Sequence, residues 1–201
     1  MERILINIGR QFGSGGRLVA RALGDKLGIP VYDNELITKA AEESGFSRNL
    51  FERSDERRSV FSLSSFFASG RYVVENHLGD NELFRIQGNV IRKVADEGSA
   101  IFIGRCSDYI LRDLDCLDVF ITAPEEIRIR RVAGREGITE EEAARLVRTK
   151  DRTRETYYNY FTFGNWGVAS NYDLCLDSSI LGVEATADLI IAFLNAKKKS
   201  S

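Results

Sequence analysis

Gly13-Ser14-Gly15-Gly16, flanked by Arg10 and Arg17, is the stretch of this chain whose residue types are best suited to chemistry. Glycines let backbone N–H groups converge on an anion without interference from Cβ atoms, and a following helix adds the partial positive charge of its N-terminus. Both flanking elements are present. Ile4 to Ile8 is a short apolar run rich in β-branched residues, and Leu18 to Leu27 is apolar at 19, 20, 22, 23 and 27, the pattern of an amphipathic helix. Strand, glycine turn and helix follow in the order that phosphate binding requires. The same residues would also serve as a plain turn joining a strand to a helix.

The loop departs from the usual Walker A pattern, G-x-x-x-x-G-K-[ST]. With Gly13-Ser14-Gly15 laid on its G-S-G, Arg10 takes the leading glycine, Gly16 the lysine and Arg17 the Ser/Thr. The lysine that reaches the β- and γ-phosphates is absent, and so is the hydroxyl that holds Mg²⁺. Arg17 or Arg10 is left to supply positive charge, with a guanidinium that is bulkier than a point-charge ammonium.

Three other places carry chemistry. Asp33 falls where a short second strand, Ile29 to Tyr32, gives way to a helix. There it suits either a ligand at the carboxyl end of a sheet or an N-cap. Arg105 follows Gly104 at the end of the strand signal Ser99 to Ile103. The most basic region begins at Pro124, with Arg128, Arg131 and Arg135 at i, i+3 and i+7, and repeats that spacing in Arg145, Arg148 and Arg152, with Lys150 and Arg154 beside them. Thr139 followed by Glu140-Glu141-Glu142 reads as a cap with an acidic first turn, and Gly134 and Gly137 as hinges. Two facing arginine stripes suit phosphoryl transfer, which depends on positioning and charge neutralisation. Solvated helix faces with i,i+4 pairs such as Glu141 and Arg145 explain the same pattern structurally.

Five short strands separated by helical stretches predict a three-layer α/β fold with a doubly wound five-stranded parallel sheet. The further strands are Leu117 to Thr122 and Tyr172 to Asp177, and Val183 to Leu194 closes the chain as a helix. Residues 34–98 read as a mostly helical insertion, containing an amphipathic helix from Phe84 to Ala95 and an aromatic segment, Phe61 to Phe67, that suits core packing or a homodimer surface. Residues 124–158 form the arginine-rich segment of the same single domain, 1–201. The chain has 201 residues, 43% hydrophobic and 29% charged, with a formal net charge of −2. That composition favours neither nucleic acid nor a membrane as partner. No apolar run approaches a membrane span, no leader pattern opens the chain, and a cytoplasmic protein is expected. Three cysteines without C-x-x-C spacing read as reduced thiols, Cys116 and Cys175 as small core residues. One histidine, His77, leaves no His-cluster metal site.

On the loop Gly13-Ser14-Gly15, the helix Val19-Ala20 to Leu27-Gly28, Tyr32-Asp33, Gly104-Arg105, the arginine-rich segment and Leu174-Cys175-Leu176-Asp177-Ser178, the chain resembles the bacterial cytidylate kinases. These are P-loop nucleoside monophosphate kinases, and the likeness is greatest to their cytidylate-kinase-like branch. Residues 44–98 match only weakly. The resemblance implies a five-stranded P-loop kinase fold with an acceptor-binding insertion and a mobile lid at 124–158. It implies transfer of the γ-phosphoryl group of ATP, with Mg²⁺, to CMP, dCMP or a similar small acceptor. By position it assigns Gly13, Ser14, Gly15 and Gly16 to the ATP phosphates and Arg105 to the acceptor phosphate. Arg131 falls near the adenine side, Arg152 and Arg154 near the transferring phosphate, and Asp33 close to the acceptor.

Three positions depart from the family: Gly16 for lysine, Arg17 for the hydroxyl, and Ile103 for an aspartate, so that D-G-R-D reads I-G-R-C. Arg17 as replacement cation with Asp33 as metal carboxylate is one rearrangement that would restore catalysis. Loss of catalysis, leaving a nucleotide-binding protein, is the alternative, and a kinase for a different small acceptor is a third.

Overall fold

The structure, a computed structural model, describes residues 3–43 and 77–200. Most of the expected insertion, including Phe61 to Phe67, lies outside the described residues. Five strands, β1 (Leu5–Arg10), β2 (Val31–Tyr32), β3 (Ala100–Ile103), β4 (Leu117–Thr122) and β5 (Leu174–Asp177), form one sheet in the order β2-β3-β1-β4-β5. Every pairing is parallel, with Ile6 opposite both Ile101 and Leu117. The expected five-stranded parallel sheet is therefore what the chain forms.

Strand alternation sorts the core onto two faces. Ile6, Ile8, Ile101, Ile103, Val119 and Ile121 point to one side, where α1 (Gly16–Leu27) contributes Val19, Ala20 and Leu23 and α7 (Ser178–Ser200) contributes Ala187, Ile190 and Leu194. Leu5, Ala100 and Phe102 point to the other, against Ile37 of α2 (Asn34–Glu43) and Ile86, Val90 and Ile91 of α3 (His77–Glu97). Full burial of one such side chain is worth about 1.5–3 kcal/mol, so β1, β3 and β4 are the firmest part of the sheet. Their carboxyl ends are the fixed edge on which a site can be built.

Local signals set the ends of the elements. Gly28 (φ 66°) caps α1 with its N–H on Gly24 O. After the short α4 (Ser107–Ile110), β4 leads into a helical hairpin, α5 (Glu125–Glu136) and α6 (Glu140–Thr162). Thr139 and Glu142 form a reciprocal capping box at the start of α6, as its sequence requires. The hairpin has its own small core of Val132, Ala143 and Val147, onto which Phe12 of the glycine loop packs.

Three expectations need correction. Cys175 is exposed rather than buried, because β5 is an edge strand and position 175 faces outward. The closing helix is longer than Val183 to Leu194: α7 runs to Ser200, and Lys197 Nζ donates to Cys116 O at 2.6 Å and pairs with Asp115 at 3.1 Å. Residues Ser178–Lys199 are also long and apolar enough by composition to cross a membrane. In this fold the segment covers the sheet, and its acidic side chains Glu184 and Asp188 reach Lys26 of α1 at 3.2 and 2.8 Å.

Candidate functional site

The glycine loop is shaped as an anion site. Gly13 and Gly15 take left-handed conformations, φ 79° and 81°. The N-terminus of α1 has no side-chain cap and no acidic residue in its first turn. Leu18 and Val19 N–H both turn back to Gly15 O, and the N–H groups of Gly15, Gly16 and Arg17 meet no acceptor among the described residues. The carbonyl side of the loop, by contrast, is tied down. Arg131 donates to Ser14 O at 3.3 Å and to Ser178 Oγ at 3.1 Å, and Ser178 Oγ donates to Ser14 O.

A buried ion pair fastens the hairpin to this loop. Arg128 Nη1 lies 2.5 Å from Asp151 Oδ2, while the other oxygen of Asp151 accepts the Phe12 N–H at 2.6 Å. Arg128 also donates to Ala123 O and Phe12 O, at 3.0 and 3.2 Å. Gly13 permits the approach: a Cβ there would stand 2.9 Å from Arg128 O.

A cavity of about 250 Å³ opens beside the loop at the carboxyl ends of β1 and β3. Arg10, Arg105, Lys150 and Arg154 line it, Asp108 is the one carboxylate among the described residues there, and Tyr157, Tyr158, Trp166 and Tyr172 form aromatic walls. Backbone geometry concentrates strain at its floor, where Gly104, Arg105 and Cys106 are all left-handed, at φ 70°, 59° and 56°. For the two non-glycine residues this costs about 1–2 kcal/mol each, and such strain collects at functional sites. Arg105 Nε donates to Asn34 Oδ1, and its guanidinium lies 5.2 Å from the Tyr157 ring.

The charges are unbalanced. Burial, then the neighbouring guanidiniums of Arg154, Arg105 and Arg17, push the Arg10 pKa well below its usual value. Burial brings Arg154 down to about 10 against the opposing pull of Asp151. Burial raises the Asp108 carboxyl, although the Tyr158 hydroxyl donates to it at 2.8 Å. Burial likewise raises the Cys106 thiol, which makes it a poor nucleophile. Crowded cations facing one carboxylate among the described residues form a site that gains from taking up a polyanion.

The candidate residues separate into groups. Arg105 and Arg154 meet in the cavity. Gly13, Ser14, Gly15, Gly16 and Arg131 gather at the loop. Arg17 and Asp33 pair with each other: Arg17 Nη2 is 2.7 Å from Asp33 Oδ2 and 3.4 Å from Glu35. The second oxygen of Asp33 accepts the N–H groups of Glu35 and Leu36 as the N-cap of α2. Neither group is therefore uncommitted, and the pairing of a cation with a metal carboxylate requires that bridge to open. Arg152 is exposed and does not line the cavity. Arg145 and Arg148 make exposed pairs with Glu141 and Glu125, the bland reading of their stripe. Asp151 and the Tyr157-Tyr158 pair enter the site without having been selected from the sequence, while Arg10 and Lys150, noted there as cations, line the cavity. The apolar stripe of α6, extended beyond Val147 at helical spacing, would have found Asp151, Arg154 and Tyr158.

No group of three or more His, Cys, Asp or Glu side chains is placed to hold a metal among the described residues. The unpaired loop amides and cavity cations fit phosphate; the residues present do not form a protein cage for Mg²⁺.

The chain matches the cytidylate kinase-like family model over residues 5–180. It is 29% identical to the cytidylate kinase of Methanopyrus kandleri, over 96% of this chain and 93% of that one. An uncharacterized protein from Eubacterium ventriosum, solved by crystallography, superposes with a TM-score of 0.75 at 28% identity, covering 96% and 99% of the two chains. Shikimate kinase from Bacteroides thetaiotaomicron shares the fold, with a TM-score of 0.56 at 13% identity over 96% and 99%. Loop, sheet order and family match agree along nearly the whole sequence, and the chain belongs to the cytidylate kinase-like family.

Proposed function

We propose that the protein transfers the γ-phosphoryl group of ATP to a nucleoside monophosphate, CMP or dCMP by family. The observation that carries this reading is the cavity at the sheet edge, lined among the described residues by four cations and one carboxylate, adjoining a loop whose amides meet no acceptor among those residues. An oxygen of the acceptor phosphate attacks the γ-phosphorus, the bond to the bridging oxygen breaks, and ADP leaves with that electron pair. The acceptor phosphate is already anionic, so no general base is needed, and the protein's work is positioning and charge neutralisation. On this reading Arg105 holds the acceptor phosphate, Arg154 flanks the transfer path, and Tyr157 and Trp166 offer faces to a base, a reading supported by their lining one cavity. Mg²⁺ would travel with the triphosphate, held by phosphate oxygens and water, and no step above runs through a protein-bound metal.

A second reading, a nucleotide-binding protein without useful turnover, is favoured by one feature: Arg17, which stands where the Mg²⁺ hydroxyl belongs, is bridged to Asp33. Phosphoryl transfer from ATP and Mg²⁺ across a panel of nucleoside monophosphates separates the two, with nucleotide binding read in parallel. Turnover on CMP or dCMP that falls about 100-fold or more in Arg105→Ala supports the kinase. Tight binding with no transfer to any acceptor supports the binder.

A further inference from the structure

Gly16 stands where the loop lysine belongs, and its φ lies outside the left-handed region, so its conformation does not call for glycine. Space does. A Cβ on Gly16 would lie 2.6 Å from Arg10 Cβ and 3.1 Å from Arg10 Cγ. A Cβ on Gly104 would overlap the Arg10 guanidinium, at 2.9 Å from Cζ. The Arg10 side chain thus starts beside the lysine position and ends over the last turn of β3, on the floor of the cavity. Both glycines are cut to fit it.

The other candidate cation is engaged elsewhere. Arg17 is bridged to Asp33 and Glu35, whereas Arg10 makes no ion pair or side-chain hydrogen bond among the described residues. The charged groups facing Arg10 are Arg154, Arg105 and Arg17, with Asp33 the one carboxylate among them. Arg154 also donates to the Arg10 carbonyl at 3.1 Å, which fixes the backbone of the last residue of β1 beside the loop.

We infer that Arg10 is the phosphate-binding cation of this loop: a guanidinium entering from the leading position of the glycine loop does the work of the missing lysine. The inference rests on the reading that the site takes a nucleoside triphosphate. Arg10 grips the terminal phosphates from the end of β1, and Gly16 is small so that it can pass. A planar fork can hold two phosphate oxygens at once, which an ammonium cannot. The positions of charge and glycine are exchanged relative to the usual loop.

The exchange gives the test. Transfer from ATP to CMP, and binding of ATP and of adenosine, are measured in the full chain for four proteins besides the native one. Arg10→Ala should weaken ATP binding about 10- to 100-fold and cut kcat/KM about 100-fold or more, with adenosine binding changed less than about threefold. Arg10→Lys should recover part of the loss. Gly16→Lys alone should fail, because its side chain meets Arg10. The double change Arg10→Gly with Gly16→Lys restores the usual glycine and lysine, with Arg17 still in place of the hydroxyl, and should return turnover to within about tenfold of native. Arg10→Ala with ATP affinity and turnover both within threefold of native overturns the inference. If Arg10→Ala does not fold, the double change decides: recovery supports Arg10, and a folded but inactive double variant overturns it. If the native protein binds ATP but transfers nothing, the kinase reading falls and Arg10 is judged on ATP binding alone. If it binds no ATP, both fall.

Discussion

The two faces of α6 carry similar charged residues and do opposite things with them. On the outer face Arg145 and Arg148 are 66% and 72% exposed and meet carboxylates that are 81% and 40% exposed. On the inner face Asp151 is 16% exposed, and its partner on α5, Arg128, is 8% exposed. The outer pairs gain little Coulomb energy in high dielectric and must hold long side chains still. The inner pair has lost most of its water, so each partner is needed to make the burial of the other tolerable. What separates the faces is the small core of Val132, Ala143 and Val147, which sets the rotation of the helix. The lesson for the site is that a charge gains influence from where the helix turns it. Asp151 and Arg154, on the buried stripe, touch the loop backbone; Arg152, one residue after Asp151, is exposed.

The sharpest way to break this contrast is to remove one inner partner. Asp151→Ala leaves Arg128 buried without its carboxylate and strips the Phe12 N–H of its acceptor. A loss of about 3–5 kcal/mol is expected, read by denaturant unfolding. Asp151→Asn keeps an acceptor for Phe12 and should cost less. A loss below about 1 kcal/mol for Asp151→Ala would place the pair with exposed ones and remove the distinction.

A half-buried carboxylate without a bonded cation sharpens the contrast from the other side. Asp118 on β4 accepts from Asn7 Nδ2 at 2.7 Å, and Lys197 acts on it only from a distance. Burial pushes its pKa up to about 6, from an ordinary value of 3.8. The folded state therefore holds a proton that the unfolded chain releases, so this group's contribution to stability falls as pH rises between those two values. Asp118→Asn keeps the acceptor and removes the charge. It should raise the Tm at pH 8, by the equivalent of about 1 kcal/mol once partial exposure is allowed for, and give nothing near pH 3.5. An equal gain at both pH values would trace the effect to packing instead.

The local grammar of the chain was open to reading: the five apolar strands, the turn at Gly13 to Gly16, the Gly28 cap and the Thr139 box each depend on residues close in sequence. The sheet order, β2-β3-β1-β4-β5, was not, because right-handed crossovers fix the face each helix covers and not which strands become neighbours. The site was only half legible. Arg105 and Arg154 stand at positions the family resemblance marks, but Arg10 was only one of two cations left to stand in for the lysine. Its meaning depends on Gly16 and on Gly104, a residue distant in sequence that parallel pairing brings alongside β1. The arginine stripes misled because spacing gives a face and not the direction in which it points. Direction came from apolar residues between the charges, Ala143 and Val147, whose stripe extends to Asp151, Arg154 and Tyr158.

The outer face supplies the smallest expected effect, and the most informative null. Arg145→Ala and Arg148→Ala, singly or together, should change stability by less than about 0.5 kcal/mol each, since exposed pairs typically contribute 0.2–1 kcal/mol before screening. Raising salt from low to physiological ionic strength should weaken even that, because these pairs lie in solvent, where mobile ions screen them. The two changes should also be additive, as the pairs share no partner: Arg145 meets Glu141 within α6, and Arg148 meets Glu125 of α5. A larger or non-additive loss that survives salt would mean that Arg148 and Glu125 help clamp the hairpin. The boundary between the two faces would then have to be drawn one stripe further round α6.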